Sequence, residues 1–226
     1  MKISLATPRL RFITIAAILT LMHSACLPSV AIADMILTPA SISGSGTYTN
    51  SADLIIDGNV PQRGTAFNAP SVVNFTNSSV TFTINYGRVV NINSLTACID
   101  NNDNYTASYS TDGIHYFTLF SFLPSDGPVP ALGGGGVDIL TTDPSFPSSV
   151  SYPADKTTPE YVGRTFAPVD AQYLQITASG GDGSYGIGEI QAFTAVPEPS
   201  PFLLLGAAVV LCGIIYRLRS RRVVEV

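Results

Sequence analysis

The sequence predicts an all-β domain built as an antiparallel sandwich, and two observations lead to that prediction. Apolar and polar residues alternate with a period of two along residues 80–86 and 105–110, which is the pattern of strands with one buried face. Gly, Pro, Asn and Asp separate such runs, and no segment between residues 34 and 195 shows a convincing helical period. Eight or nine strands packed as two sheets account for both observations.

The remaining strands are predicted from further runs of the same kind. These runs cover residues 89–99, 115–122, 161–166, 173–178 and 187–193. Between them, the stretch 124–159 is rich in Pro, Gly and Ser and includes four consecutive glycines. No Lys-Ser or Lys-Thr pair comes directly after those glycines, so they do not match a phosphate-binding loop. We expect a flexible loop there.

The N-terminal segment, residues 1–33, is predicted to be a cleaved signal peptide. Basic residues precede the apolar run 12–22, and small residues flank an isoleucine at 31–33, as a signal peptidase site requires. A lipoprotein signal using Cys26 is the alternative. His23 stands where such signals carry an aliphatic residue, which favours simple cleavage.

The C-terminal segment is predicted to hold one transmembrane helix, residues 201–216. No charge occurs over the eighteen residues between Glu198 and Arg217, and at 1.5 Å per residue this length just spans a hydrocarbon core of ~30 Å. The arginine-rich tail, residues 217–226, should stay cytoplasmic and leave the preceding domain outside. A buried C-terminal helix of a soluble domain is the alternative.

The order of features at this end resembles the PEP-CTERM sorting signal. Val196, Pro197, Glu198 and Pro199 precede the apolar span and the arginine cluster, so the likeness covers residues 196–226. It implies recognition by an exosortase near the Pro-Glu-Pro motif, a transient stay in the inner membrane, and a final location at the cell surface or outside an exopolysaccharide-producing Gram-negative cell. The two prolines also hold the backbone extended, as presentation to a protease-like enzyme requires. A rigid stalk above a permanent anchor is the alternative.

The predicted ectodomain, residues 34–195, is acidic and has a single cysteine. Four Lys and Arg stand against fourteen Asp and Glu, which gives a net charge near −10. This charge argues against a nucleic-acid partner and favours divalent cations or polysaccharides. Cys98 has no partner for an internal disulfide, and its apolar neighbours predict a small core residue. A reactive thiol is the alternative.

Three motifs of the ectodomain resemble the discoidin, or galactose-binding-like, family. They are the Ile-Asp-Gly-Asn turn within residues 54–59, the Tyr-Ser-Thr-Asp-Gly hairpin within 100–116, and the Glu-Ile strand within 180–190. Their order and spacing over residues 45–194 imply a jelly-roll β-sandwich that binds glycans without catalysis. Members of that family that bind sugars or lipids usually expose Trp and other aromatic residues from loops at one end, and this chain has no Trp.

The same resemblance implies a structural calcium ion. Its ligands would come from Asp57, Asn59, Thr65 and Glu189, with the carbonyl oxygen of Leu54 as a further donor. Ca²⁺ takes six to eight oxygen ligands, and a tight glycine-containing turn allows carboxylate, amide and carbonyl oxygens to converge. An ordinary turn and a locally paired glutamate are the alternatives.

Loop residues of the sandwich are the candidate ligand contacts. They are Arg63, Phe67, Asn102, Asp103, Asp182 and Tyr185. The Asx-rich run 100–104 is not an EF-hand, because a tyrosine replaces the required glycine and no glutamate stands at the twelfth position. It is either a surface turn or a second cation or ligand loop. Asp112 and Gly113 are read as a hairpin turn without chemistry.

No catalytic residue is predicted. The ectodomain has one histidine, His115, placed in a predicted strand with no sign of a Ser-His-Asp arrangement. The expected function is therefore that of an exported, exosortase-sorted surface or matrix protein that binds exopolysaccharide or another glycan. A purely structural matrix component and a polysaccharide hydrolase using acids such as Asp100 and Asp182 are the alternatives.

Overall fold

The computed structural model describes residues 34–126, 136–146, 156–195 and Val210. The predicted signal peptide, the Pro-Glu-Pro motif, the basic tail and, apart from Val210, the predicted transmembrane helix lie outside these residues. Within the described part of the chain, no helix is both long and apolar enough to cross a membrane.

The described residues form eleven strands and one 3-10 helix, Ala52–Ile55. The strands are β1 (Asp34–Ile36), β2 (Ser41–Ser45), β3 (Val73–Phe75), β4 (Thr81–Ile92), β5 (Ser94–Asp100), β6 (Asn104–Ser110), β7 (Phe117–Phe122), β8 (Val137–Thr141), β9 (Glu160–Tyr161), β10 (Val169–Ser179) and β11 (Tyr185–Ala195).

Two sheets face each other across a shared core. The larger sheet has the order β1-β11-β5-β8-β9, with β3 also paired to β11, and the smaller has the order β2-β4-β10-β6-β7. All pairings are antiparallel except the short β8–β9 pair. Phe82 and Leu174 of the smaller sheet pack in one cluster with Ile99 and Ile187 of the larger. The predicted all-β sandwich is confirmed.

A second layer covers the outer face of the larger sheet. β5 and β8 are buried along their whole length, and Val72, Cys98 and Ile139 form a small apolar cluster on that outer side. Gly188 of β11 lies against the overlying loop so closely that a side-chain carbon there would come 2.7 Å from Pro61. Cys98 is 1% exposed, and burial raises the pKa of its thiol far above its ordinary value, so it is the predicted core residue.

Several strand predictions are wrong in detail. The run 89–99 breaks at Asn93 into β4 and β5, and the run 161–166 contributes only its first residue to β9. The stretch 124–159 contains a whole strand, β8. That strand is buried on both faces, so its sequence lacks the period-two alternation by which half-buried strands are found.

Candidate functional site

Two crossovers between the sheets meet at one end of the sandwich, which we call the acidic end. The turn 101–103 joins β5 to β6, and the loop 180–184 joins β10 to β11. They are adjacent because β6 pairs with β10, which sets Asn104 opposite Ser179. The acidic end therefore brings together three of the predicted ligand residues, Asn102, Asp103 and Asp182.

Two carboxylates of the acidic end are buried without hydrogen-bond partners. Asp100, the last residue of β5, is 0% exposed and Asp103 is 2% exposed. None of their four carboxylate oxygens has a partner at hydrogen-bonding geometry, and neither does the buried amide oxygen of Asn102. Unsatisfied acceptors this deep are rare in folded proteins and call for an explanation.

The electrostatics of the acidic end follow from this burial. Desolvation, and next the charge of Asp182, raise the pKa of Asp100 to about 7. Desolvation, and next the charges of Asp100 and Asp182, raise the pKa of Asp103 to about 7. The backbone amides of Asn101, near Asp100, and of Asp182, near Asp103, offset only part of these shifts, because neither amide reaches full hydrogen-bonding geometry. A carboxyl group with a pKa of about 7 is partly protonated at neutral pH, and this applies to both Asp100 and Asp103.

The loop 180–184 lies directly over the Asp103 carboxylate. Gly181 has a φ of +59°, and a side-chain carbon there would overlap the Asp103 Oδ1 atom and come 2.7 Å from the carbonyl oxygen of Asn102. Tyr185, another predicted ligand residue, is buried and donates its hydroxyl hydrogen to the carbonyl of Gly180 at 3.2 Å. Only glycine allows the loop to approach the turn this closely.

The predicted calcium residues are brought together in part. A cavity of ≈ 290 Å³ is lined by Asp57, Gly58 and Glu189. Glu189 is 3% exposed, and burial, followed by the charge of Asp57, raises its pKa to about 8. The Gly58 amide and the Gln191 side chain donate hydrogen bonds to the Glu189 carboxylate and offset part of that rise.

The other predicted calcium ligands are placed differently. The Asn59 amide donates to Asp57 Oδ1 at 2.8 Å, the geometry of an ordinary Asx turn. The Thr65 carbonyl already accepts a hydrogen bond from the Val137 amide at 2.8 Å, and Leu54 lies in the 3-10 helix. Among the residues that the structure describes, no three His, Cys, Asp or Glu side chains converge as a ready-made metal site.

Two predicted ligand contacts lie in the loop between the 3-10 helix and β3 without being exposed. Arg63 is 3% exposed, and its guanidinium pairs with Asp138 at 2.6 Å and with Glu160 at 3.4 Å. The structure thus places Arg63 in a buried ion pair rather than at an exposed loop. Burial raises the pKa of Asp138 and the Arg63 charge partly offsets it. Phe67 is half-buried, with its backbone against Gly186.

At the opposite end of β6, the turn to β7 forms what we call the hairpin end, residues 109–117. The Phe117 side chain is 61% exposed and its ring lies 5.9 Å from that of Tyr109, while Ile114 is 76% exposed. Beside them His115 Nδ1 and Asp112 Oδ2 are 2.7 Å apart. The sequence predicted the turn and missed this exposed apolar surface, because the alternation placed Tyr109 on a buried face and Phe117 was placed only within the predicted strand 115–122.

No family model and no curated protein matches this chain. Solved structures do match: CBM32 of AlyQ in complex with 4,5-unsaturated mannuronic acid is 17% identical, with a TM-score of 0.46, over 71% of this chain and 99% of that chain. This neighbour is a carbohydrate-binding module.

Two further neighbours are of the same kind. CpGH89CBM32-5 from Clostridium perfringens, in complex with GalNAc-β-1,3-galactose, is 14% identical, with a TM-score of 0.44, over 71% of this chain and 100% of that chain. The lectin domain of lectinolysin, complexed with Lewis B antigen, is 14% identical, with a TM-score of 0.45, over 69% and 93%. Identities this low leave ligands and residue roles to be argued from this chain alone.

Proposed function

We propose that the sandwich is a non-catalytic glycan-binding module of an exported surface or matrix protein, and that the hairpin end is its glycan-binding surface. The observation that carries the proposal is the exposed ring of Phe117, which lies 5.9 Å from the half-buried ring of Tyr109, beside the exposed Ile114. Apolar surface exposed next to polar groups is typical of binding sites. A pyranose ring has an apolar C–H face and a polar hydroxyl rim, which matches this combination.

Polar groups at the hairpin end suit the hydroxyl rim. The His115 side chain is 73% exposed, and Asp112 holds its Nδ1 atom, so the remaining ring nitrogen faces outward for a sugar hydroxyl. An imidazole nitrogen can donate or accept a hydrogen bond, depending on its tautomer. This arrangement orients a sugar ring stacked on Phe117.

The hairpin is held in shape before any ligand arrives. Asp112 accepts hydrogen bonds from the amides of Ile114 and His115, each at 2.9 Å, and from the Ser110 hydroxyl at 2.9 Å. Gly113 has a φ of +74°, as a tight turn of this kind requires. Because these loop residues are already ordered, binding loses little conformational entropy.

A hydrolase using Asp100 and Asp182 is less compatible with the geometry. A general acid must come within hydrogen-bonding distance of the glycosidic oxygen, and Asp100 is 0% exposed beneath the glycine loop. A polymer chain does not reach a carboxyl group in that position. The purely structural alternative is addressed by the binding test below.

The binding test uses the purified full chain and a panel of neutral and acidic polysaccharides, with retention measured by co-sedimentation or affinity electrophoresis. We expect at least one polysaccharide to be retained and Phe117→Ala to weaken its binding by about tenfold, the loss typical of a central aromatic contact. Met35→Ala, which removes a 55% exposed apolar side chain on β1, is the matched control. Background retention throughout, or equal binding by Phe117→Ala, refutes the proposal.

We also propose export and exosortase sorting, supported by the order of the Pro-Glu-Pro motif, apolar span and arginine cluster. Mass spectrometry of the mature protein should find Asp34 at the N-terminus and a new C-terminus near Glu198. Glu198→Ala should leave the precursor in the inner membrane. A mature protein that retains residues 1–33, or processing that ignores the substitution, contradicts this part.

Calcium at the Asp57 turn stays part of the proposal. Its support is the buried Glu189 carboxylate beside the charge of Asp57. Thermal unfolding should show a lower melting temperature with a chelator than with Ca²⁺, and Glu189→Gln should reduce the difference. If Glu189→Gln leaves the difference unchanged, no calcium binds at this turn.

A further inference from the structure

We propose that the acidic end binds a divalent cation of the Ca²⁺ class through Asp100, Asp103 and Asn102, with Asp182 closing over it. This site is separate from the Asp57 turn and from the hairpin end. Glycan binding is not required for it. A cation bound there would stabilise the turn 101–103 and the loop 180–184 of the exported domain.

The first step concerns the carboxylate oxygens of Asp100 and Asp103, which are buried and face no hydrogen-bond donor at bonding geometry. Asp100 and Asp103 are 0% and 2% exposed, and their four carboxylate oxygens lack hydrogen-bond partners. A buried carboxylate without a partner is strongly disfavoured, and in proteins it is compensated by a proton, by an ion pair or by a metal ion. Within the described residues, the charges that shift the pKa values of Asp100 and Asp103 are those of neighbouring acids, so the compensation does not come from a cationic side chain there.

The second step is the chemistry of the donor set. Two carboxylates and the unpartnered amide oxygen of Asn102 meet in one turn, and the carbonyl oxygen of Asn102 faces the loop 180–184. All of these donors are oxygens. Hard cations such as Ca²⁺ take oxygen ligands, whereas Zn²⁺ sites are usually built from nitrogen and sulfur. Waters would complete six to eight ligands.

The third step is the approach of Asp182. Its Oδ1 atom accepts from the Ser184 amide at 2.8 Å, and the residue is exposed on a loop between Gly181 and Gly183, both with positive φ. Its charge already acts on both Asp100 and Asp103. Since no three acidic side chains converge at coordinating distance within the described residues, the Asp182 carboxylate must turn inward when the cation binds.

The test is Tb³⁺ luminescence sensitised by tyrosine, followed by displacement with Ca²⁺, on the purified full chain. The chain has ten Tyr and no Trp. Tyr105 and Tyr185 lie close enough to the acidic end for the charges of its aspartates to raise their pKa values. Energy transfer from these tyrosines to a Tb³⁺ ion bound there should therefore be efficient. We expect saturable luminescence that Ca²⁺ displaces. Asp100→Asn and Asp103→Asn should each weaken binding at least tenfold, and Asp182→Asn about threefold.

The controls separate this site from the other two. Asp170→Asn removes an exposed acid at the far end of β10, and Asp57→Asn removes the charge at the other predicted calcium turn. Asp170→Asn should leave the tyrosine-sensitised signal unchanged, whereas Asp57→Asn should remove only the component from an ion at the Asp57 turn and keep the component that Asp103→Asn and Asp182→Asn weaken. Because Asp182 is exposed, its substitution tests the site even if a buried variant fails to fold. The proposal is overturned if the wild-type chain gives no saturable signal, or if Asp57→Asn abolishes it while Asp103→Asn and Asp182→Asn do not. Polysaccharide binding that persists in Asp103→Asn leaves the two proposals independent.

Discussion

The two ends of β6 carry aspartates in opposite circumstances. At the acidic end, Asp103 is 2% exposed and has no hydrogen-bond partner, and its pKa is raised to about 7, first by burial and then by its acidic neighbours. At the hairpin end, Asp112 is exposed, and hydrogen bonds from His115, Ile114 and Ser110 hold its pKa well below its ordinary value. A carboxylate whose oxygens accept several hydrogen bonds stabilises a turn, whereas a buried carboxylate without such partners is available to bind a ligand.

The largest difference between the two ends should appear in the loss of folding stability when one glycine at each end is replaced by alanine. Gly181→Ala puts a carbon onto the Asp103 carboxylate and the Asn102 carbonyl at a φ of +59°, which we expect to destabilise the fold by roughly 2–4 kcal/mol. Gly113→Ala meets only the edge of the Tyr173 ring at 3.1 Å, and should cost about 1 kcal/mol. Urea unfolding of both variants measures the difference. Equal losses would mean that the loop 180–184 does not lie over the turn.

The next effect concerns pH in the presence of a chelator. The folded-state pKa values of Asp100 and Asp103, about 7, lie above the ordinary value of 3.8, so the folded state binds more protons between these limits. The stability contributed by these groups is therefore present below about pH 4 and is lost as pH rises to 7. Asp100→Asn should flatten this part of the stability profile, and the melting temperature against pH measures it. A wild-type profile that rises over the same window contradicts the burial of these carboxylates.

A related prediction is that two matched Asp→Asn substitutions change the melting temperature in opposite directions at pH 8 without divalent cations. Asp100→Asn removes an uncompensated buried charge, so the melting temperature should rise by a few degrees. Asp112→Asn weakens the acceptor of the hairpin and should lower it slightly. Calcium should reverse the first result, because the wild-type chain then gains a bound ion. A lower melting temperature for Asp100→Asn in chelator would show that its carboxylate is satisfied.

The smallest stability effect should come from the exposed aromatic residue. Phe117→Ala removes a side chain that is 61% exposed, so we expect the free energy of unfolding to change by less than about 1 kcal/mol while polysaccharide binding falls. Calorimetric unfolding beside the binding test separates these two effects. A large loss of stability would identify Phe117 as part of the core instead of a ligand surface.

Local patterns in the sequence predicted the fold well where one face of a strand is exposed to solvent. The alternation along β4 and β6 was visible because Phe82 and Ile84, or Tyr105 and Ala107, alternate with polar residues. β8 was missed because both of its faces are covered. The Asp-Gly hairpin was found from its two turn residues alone.

The candidate sites were predicted less completely, because burial depends on distant segments. Asn102, Asp103 and Asp182 were expected to be ligand residues, and the pairing of β6 with β10 brings them together. The burial of Asp100 could not be foreseen, since it follows from packing between separate crossovers. Arg63 was expected at the surface, but its partner Asp138 comes from the missed strand β8.

The most direct test of two functionally different ends is amide hydrogen exchange of the full chain with and without Ca²⁺, and with a polysaccharide retained in the binding test. We predict that Ca²⁺ slows exchange at residues 101–104 and 180–184 and leaves the hairpin end unchanged. The polysaccharide should slow exchange at residues 110–117. Unchanged exchange at the acidic end in Ca²⁺, or polysaccharide protection there and not at the hairpin, would contradict this account.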